Sequence, residues 1–211
     1  DPSVAYLAKT SWDSSVTPES ASRDLIAAVC GEAAVEPMLE AFREIETVTL
    51  ALEDHGLGIG FPTPVLIMRH WSPGSFAKPY GDDREGYRRA LAAVQRAGTP
   101  PSKAGQDYLT YWKGRLAFGI GFFDTIEAVD AAATAEKAAQ DAKEKGDMPA
   151  FHANRADAAA KAAIARTTAF NAIEAFAGVA RNQSDRGAIA TLAEYLYRPL
   201  KNKAAELRQD Q

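Results

Sequence analysis

Few residues in this 211-residue chain could do chemistry at a distance from their neighbours, and they do not sit at ligating intervals. His55, His70 and His152 lie 15 and 82 residues apart, and no two share a helical turn with each other or with Cys30. A zinc site would therefore have to borrow carboxylates from elsewhere, so no metal and no cofactor are expected. A lone cysteine forms neither an internal disulfide nor a CxxC pair, and Cys30 reads as a small buried hydrophobe. Glu44 and Glu46, Glu53 and Asp54, and Asp82 and Asp83 are adjacent or nearly so on helices or caps, where charge on a solvated face is the default. No catalytic residue is assigned.

Two glycine phrases, "GLGIG" at 56–60 and "GIG" at 119–121, superficially resemble dinucleotide loops. Phosphate binding requires a strand before such glycines and a helix after them. Here the first set follows a helical pattern and the second lies inside one, so Gly119 and Gly121 are expected to serve close helix packing.

The remaining cluster is His55, Arg69, His70, Trp71 and Tyr80, with Phe76 between. An aromatic plane for sugar C–H faces, beside Arg and His donors for hydroxyls or a carboxylate, is the composition of a carbohydrate site. These five form the predicted substrate-binding set. The alternative is structural, with Trp71 and Phe76 pinning the segment to the body of the domain.

These residues need a frame, and the patterning supplies an all-α one, a multi-helix bundle in a single domain spanning 1–211. Apolar content of 46% and charged content of 25% are those of a globular chain. A net charge of -4 with pI near 5.5 argues against a nucleic-acid partner, since "RNQSDRG" and "YRPLKNK" are too short to form a basic surface. No apolar run reaches the roughly 18–20 residues of a membrane-spanning helix, and no membrane partner is expected.

Residues 1–55 read as a helical pair. Thr17 caps the first helix, Pro18 occupies its first position and Gly31 ends it; the second runs from Ala33 to Asp54. Residues 56–81, rich in Pro and Gly, read as one long irregular loop, with "VLIM" as a buried extended piece. Helical patterning resumes after a cap at Asp82 or Asp83. Between 103 and 181 two helices mirror each other, each with an Ala-rich and an aromatic half, which predicts an antiparallel hairpin turning at "EKGDMP" with its aromatic halves in the core. The Ala-rich halves look polar on most faces and liable to project. A last helix begins with a cap at Ser184 or Asp185, and Pro199 is expected to kink or break it.

The phrase from Tyr6 to Phe61 resembles the start of the C-terminal helical domain of bacterial α-glucuronidases and related glycoside hydrolases with an (α/β) barrel. The resemblance rests on Trp12-Asp13 through Gly31, a long helix, then "GLGIGF" and a loop with His and Trp. It covers about the first 75 residues, and the Ala-rich hairpin has no counterpart in it. It implies that catalytic carboxylates belong to the barrel, while the helical domain packs on it, lends a loop to the cleft and takes part in dimerisation. A start at Asp1, already inside "VAYLAKTSWD", leads us to expect a further segment upstream. The expected function is thus an accessory domain of a glycoside hydrolase, not catalytic alone, with the barrel, a carbohydrate and a homodimer as expected partners. The alternatives are a free-standing interaction or oligomerisation module using the hairpin as an arm, and a helical bundle binding a small molecule through His70, Trp71 and Trp112.

Overall fold

The computed structural model describes residues 2–54 and 67–209, and among these there are helices and turns but no strand. The eight α-helices are α1 (Pro2–Thr10), α2 (Pro18–Cys30), α3 (Val35–Asp54), α4 (Lys78–Arg96), α5 (Lys103–Glu144), α6 (Met148–Ala177), α7 (Gln183–Leu192) and α8 (Arg198–Gln209). The all-α, multi-helix bundle read from the sequence is thus the observed architecture.

Local chemistry sets most boundaries. Thr17 accepts from the Ser20 amide at 3.1 Å while Ser20 Oγ accepts from the Thr17 amide at 3.0 Å, a closed capping box ahead of Pro18. Gly31, at φ +90°, ends α2 in a conformation that a side chain would resist. A short 3-10 turn (Glu32–Ala34) then feeds α3. Asp147 caps α6 through the Ala150 amide, so the expected hairpin turns where "EKGDMP" placed it.

The 42 residues of α5 run about 63 Å at 1.5 Å each, and the helix serves as the spine of the molecule. Near its start Leu109 and Leu116 join Ile26, Met38 and Val94 in one core with α2, α3 and α4. Along its middle Phe123 and Ile126 meet Ile173 and Phe176 of α6 and Leu196 and Leu200 near the C-terminus. The aromatic halves of the hairpin do meet in the core, with the Phe118 and Phe176 rings 5.9 Å apart. The glycines inside α5 mark close approaches, as expected. A methyl at Gly119 would lie 2.9 Å from the Tyr87 ring of α4, and one at Gly121 would lie 2.8 Å from Cβ of Ala172 on α6. Cys30 is buried, and desolvation pushes its thiol pKa up, in keeping with a packing role.

Several expectations are corrected. Helix α1 was not foreseen. The 56–81 loop is interrupted by a 3-10 turn (Ile67–His70), so the Ile67-Met68 end of "VLIM" is helical, not extended; Val65 and Leu66 lie outside the described residues. Helix α4 starts at Lys78, five or six residues early, because Pro79 fits the first turn and its flanking cap is Ala77, not Asp82 or Asp83. Asp83 is buried, not on a solvated face. Asn182 caps α7, and Asp185 is the third helical residue that completes its capping box. The Ala-rich halves are covered in part: Ala132, Ala135, Ala158, Ala159 and Ala162 are buried together with Ala204 and Leu207 of α8, while residues 143–149 at the turn are exposed. At Pro199 the interruption takes the form of a π segment (Ala193–Tyr197), where the Arg198 amide reaches Ala193 five residues back. That wider turn accommodates a ring that cannot donate and would press on the carbonyl four residues before it.

Gly187 offers a contrast with the packed glycines. It lies inside α7 with nothing within 4 Å of a methyl placed there. Gly187→Ala is expected to stabilise the protein by about 0.5–1 kcal/mol through backbone entropy alone, measured as a higher midpoint in urea with an unchanged m-value.

Candidate functional site

The segment from Ile67 to Tyr80 is tied to the hairpin by carboxylates on α5. Ile67 is fully buried and seats the 3-10 turn in the central core. Beyond it, Gly74 takes φ +77°, a left-handed turn that suits glycine and brings two backbone amides toward Asp130. The Gly74 amide donates to Oδ1 at 2.6 Å and the Phe76 amide to Oδ2 at 3.1 Å. One carboxylate thus satisfies two donors of a segment that has no ladder of its own.

Trp71 is fixed in the same way. Its indole Nε1 donates to Oε2 of Glu136 at 2.7 Å, and Lys203 Nζ lies 5.6 Å above the ring. Lys203 of α8 also donates to Oε1 of Glu136 at 2.9 Å, and Arg155 of α6 stands 3.5 Å from the same oxygen. Glu136 is 9% exposed, so two cations and an indole meet one carboxylate almost out of water. Burial acts to raise its pKa, yet the hydrogen bonds from Lys203 and Trp71 and the charges of Lys203 and Arg155 outweigh it and hold the carboxyl below its ordinary range.

His70 is buried, edge-on to Tyr80 with ring centroids 5.8 Å apart. Desolvation, helped by the Arg69 charge, lowers its pKa, so the imidazole is neutral near pH 7. Tyr80 in turn contacts Phe76 and Phe123 at 6.3 and 6.1 Å. Arg84 rests 5.1 Å over Phe76 and bridges Asp124 and Glu127 at 2.8 and 2.6 Å, which anchors the start of α4.

The predicted set is therefore only partly assembled. His70 and Tyr80 come together; Trp71 points its polar atom at Glu136; Arg69 is exposed; His55 lies outside the described residues. Trp112, joined with Trp71 and His70 in the small-molecule reading, packs 5.1 Å from Phe42 in the other core, where Trp71 has no part. Among the described residues no group of three or more His, Cys, Asp or Glu could hold a metal ion. None of the helices described is long and apolar enough to cross a membrane.

No family model, no curated protein and no solved structure matches the chain.

Sequence reading missed Asp130 and Glu136, the residues on which the segment depends. One signal was present for Glu136. Val129, Ala132, Ala133, Glu136 and Ala139 recur at three- and four-residue intervals and are all buried, so Glu136 is a charge on an otherwise apolar stripe. A carboxylate there needs partners, although the sequence does not say which.

Proposed function

We propose that the chain is an accessory helical domain of a carbohydrate-active enzyme, docking on a catalytic barrel through α1 and the turn after it. The observation that carries this reading is the apolar surface at that end: Leu7 is 63% exposed and Trp12 94%. Val4, one turn before Leu7, is as exposed as Leu7. Scattered apolar residues on a surface are ordinary, but an indole almost wholly in water beside an apolar helix face marks a surface suited to burial. The turn is ordered, not frayed. Trp12 and Asp13 both donate to the Lys9 carbonyl at 3.1 Å, and Asp13 accepts from the Ser15 amide and hydroxyl at 2.9 and 2.6 Å. The hydrogen bonds from Ser15 lower the pKa of Asp13 and keep the turn charged and formed. Lys9 pairs with Asp24 of α2, which holds the inner side of α1 and leaves the Leu7 side outward. Trp12-Asp13 is also the phrase that opens the resemblance to glycoside hydrolase helical domains.

The 67–80 segment packs on α5 and α8, and among its predicted sugar-contacting residues Arg69 is exposed. The alternative of a free-standing module with the hairpin as its arm draws less support, because α8 already covers the arm at Ala132, Ala135, Ala158, Ala159 and Ala162. The test has two parts. The coding sequence should place a βα barrel in the same polypeptide or in a product that co-purifies with this chain; a gene without either overturns the proposal. Trp12→Ser should leave the melting temperature of the isolated chain unchanged and weaken its association with that barrel by about 2 kcal/mol or more, read by calorimetry.

A further inference from the structure

A cleft of about 360 Å³ opens where α4, α5 and α6 adjoin, within the size range of small-molecule sites. It exists because two small residues meet: Gly121 and Ala172 bring the helices together and leave no side chain to fill the groove above them. Leu91, Ile120 and Ala172 line it with C–H surface, and Asp124, Thr168 and Asn171 bring polar groups.

Those polar groups have a definite bias. Both arginines sit on one oxygen of Asp124, Arg84 Nη1 at 2.8 Å and Arg88 Nη2 at 3.6 Å from Oδ1. Among the described residues the arginine hydrogen bond to Asp124 falls on Oδ1, not on Oδ2. The carboxylate is thus held in place and charge-matched while one oxygen stays available to accept. Thr168 donates its hydroxyl to the Ile164 carbonyl at 3.0 Å, so its oxygen offers lone pairs to the cleft side. Asn171 is exposed, and its amide both gives and takes.

A cationic ligand gains little here, because the charge on Asp124 is already matched. An anionic one meets mostly acceptors. Hydroxyl groups complement all three side chains, and a ring with an apolar face complements Leu91 and Ile120. We propose that this cleft binds a neutral, polyhydroxylated ring of monosaccharide size, its hydroxyls on Asp124, Thr168 and Asn171. The site stands independently of docking through α1, since it is built from α4, α5 and α6 alone.

The experiment is an amide NMR titration of the isotopically labelled full chain with methyl α-D-glucopyranoside and with D-xylose, using cyclohexanol as the apolar control. Saturable shifts are expected within 117–124 and 168–172 at millimolar concentrations. Asn171→Ala should weaken binding by about tenfold, the loss of its hydrogen bonds, without altering the melting temperature. Asp124→Asn, which keeps the shape, should also weaken it. No saturation by about 0.1 M, shifts centred elsewhere, indifference to both substitutions, or equal shifts with cyclohexanol would each overturn the proposal.

Discussion

Glu136→Ala is expected to destabilise the protein by about 3 kcal/mol, a fall in melting temperature of about 6–12 °C for a chain of this size. Removing the carboxylate leaves Lys203 and Arg155, whose side chains are 16% and 11% exposed, as neighbouring cations without their shared anion. It also leaves the Trp71 indole N–H without its acceptor. The loss exceeds that of a surface ion pair because desolvation has already been incurred by both cations. Glu136→Gln should cost less, since an amide oxygen still accepts from Trp71 or Lys203. The two variants separate charge from hydrogen bonding.

The pH dependence has a defined sign. The folded-state pKa of Glu136 lies below its ordinary value of 4.5, so ionisation favours the folded state. Its contribution is complete above 4.5 and is lost as pH falls through the depressed folded value. The stability gap between wild type and Glu136→Gln should therefore be constant from neutral pH down to about pH 5 and narrow below it, as measured by urea unfolding at several pH values. A gap that is unchanged down to pH 3 would show that the carboxylate charge has no part in the clamp.

Gly105→Ala is the second large effect, expected at about 3 kcal/mol or a melting temperature lower by about 6–12 °C. A methyl there would lie 2.5 Å from the Val29 carbonyl oxygen and 2.6 Å from Cβ of Pro100. The obstructing atoms are backbone and a proline ring, which have no rotamer to change, so the end of α2 and the start of α5 must separate. Cys30, whose Cα lies 3.1 Å from the same point, would move with them. Faster labelling of buried Cys30 by a thiol reagent should accompany the loss in Tm. If the variant melts with wild type and Cys30 stays protected, then the α2–α5 junction yields more readily than its geometry implies.

What could be read without coordinates was whatever depends on near neighbours in the chain. Three- and four-residue periodicity sufficed for α2 to α6, because one buried face imposes that interval whatever the partner is. Thr17, Pro18 and Gly31 announced the ends of α2, since capping is settled within a few residues. The mirrored composition of α5 and α6 gave the hairpin, and glycines inside α5 announced close packing. The start of α4 was misread because Asp82 and Asp83 are good caps in isolation, whereas Pro79 and the ring contacts of Tyr80 draw the helix back to Lys78.

The tertiary structure decided what each polar residue does. Glu136 sits in an Ala-rich tract that suggests a solvated arm, and the return of α8 covers that tract at Ala132 and Ala135. That return makes Glu136 the meeting point of four elements. Trp71 and Trp12 show the same division. As letters both are aromatic residues suited to a ligand surface, yet one is bound to a buried carboxylate and the other stands in water. A side chain's type sets which interactions it can make, and the fold, by bringing residues 56 to 75 positions apart into contact, sets which of them it does make.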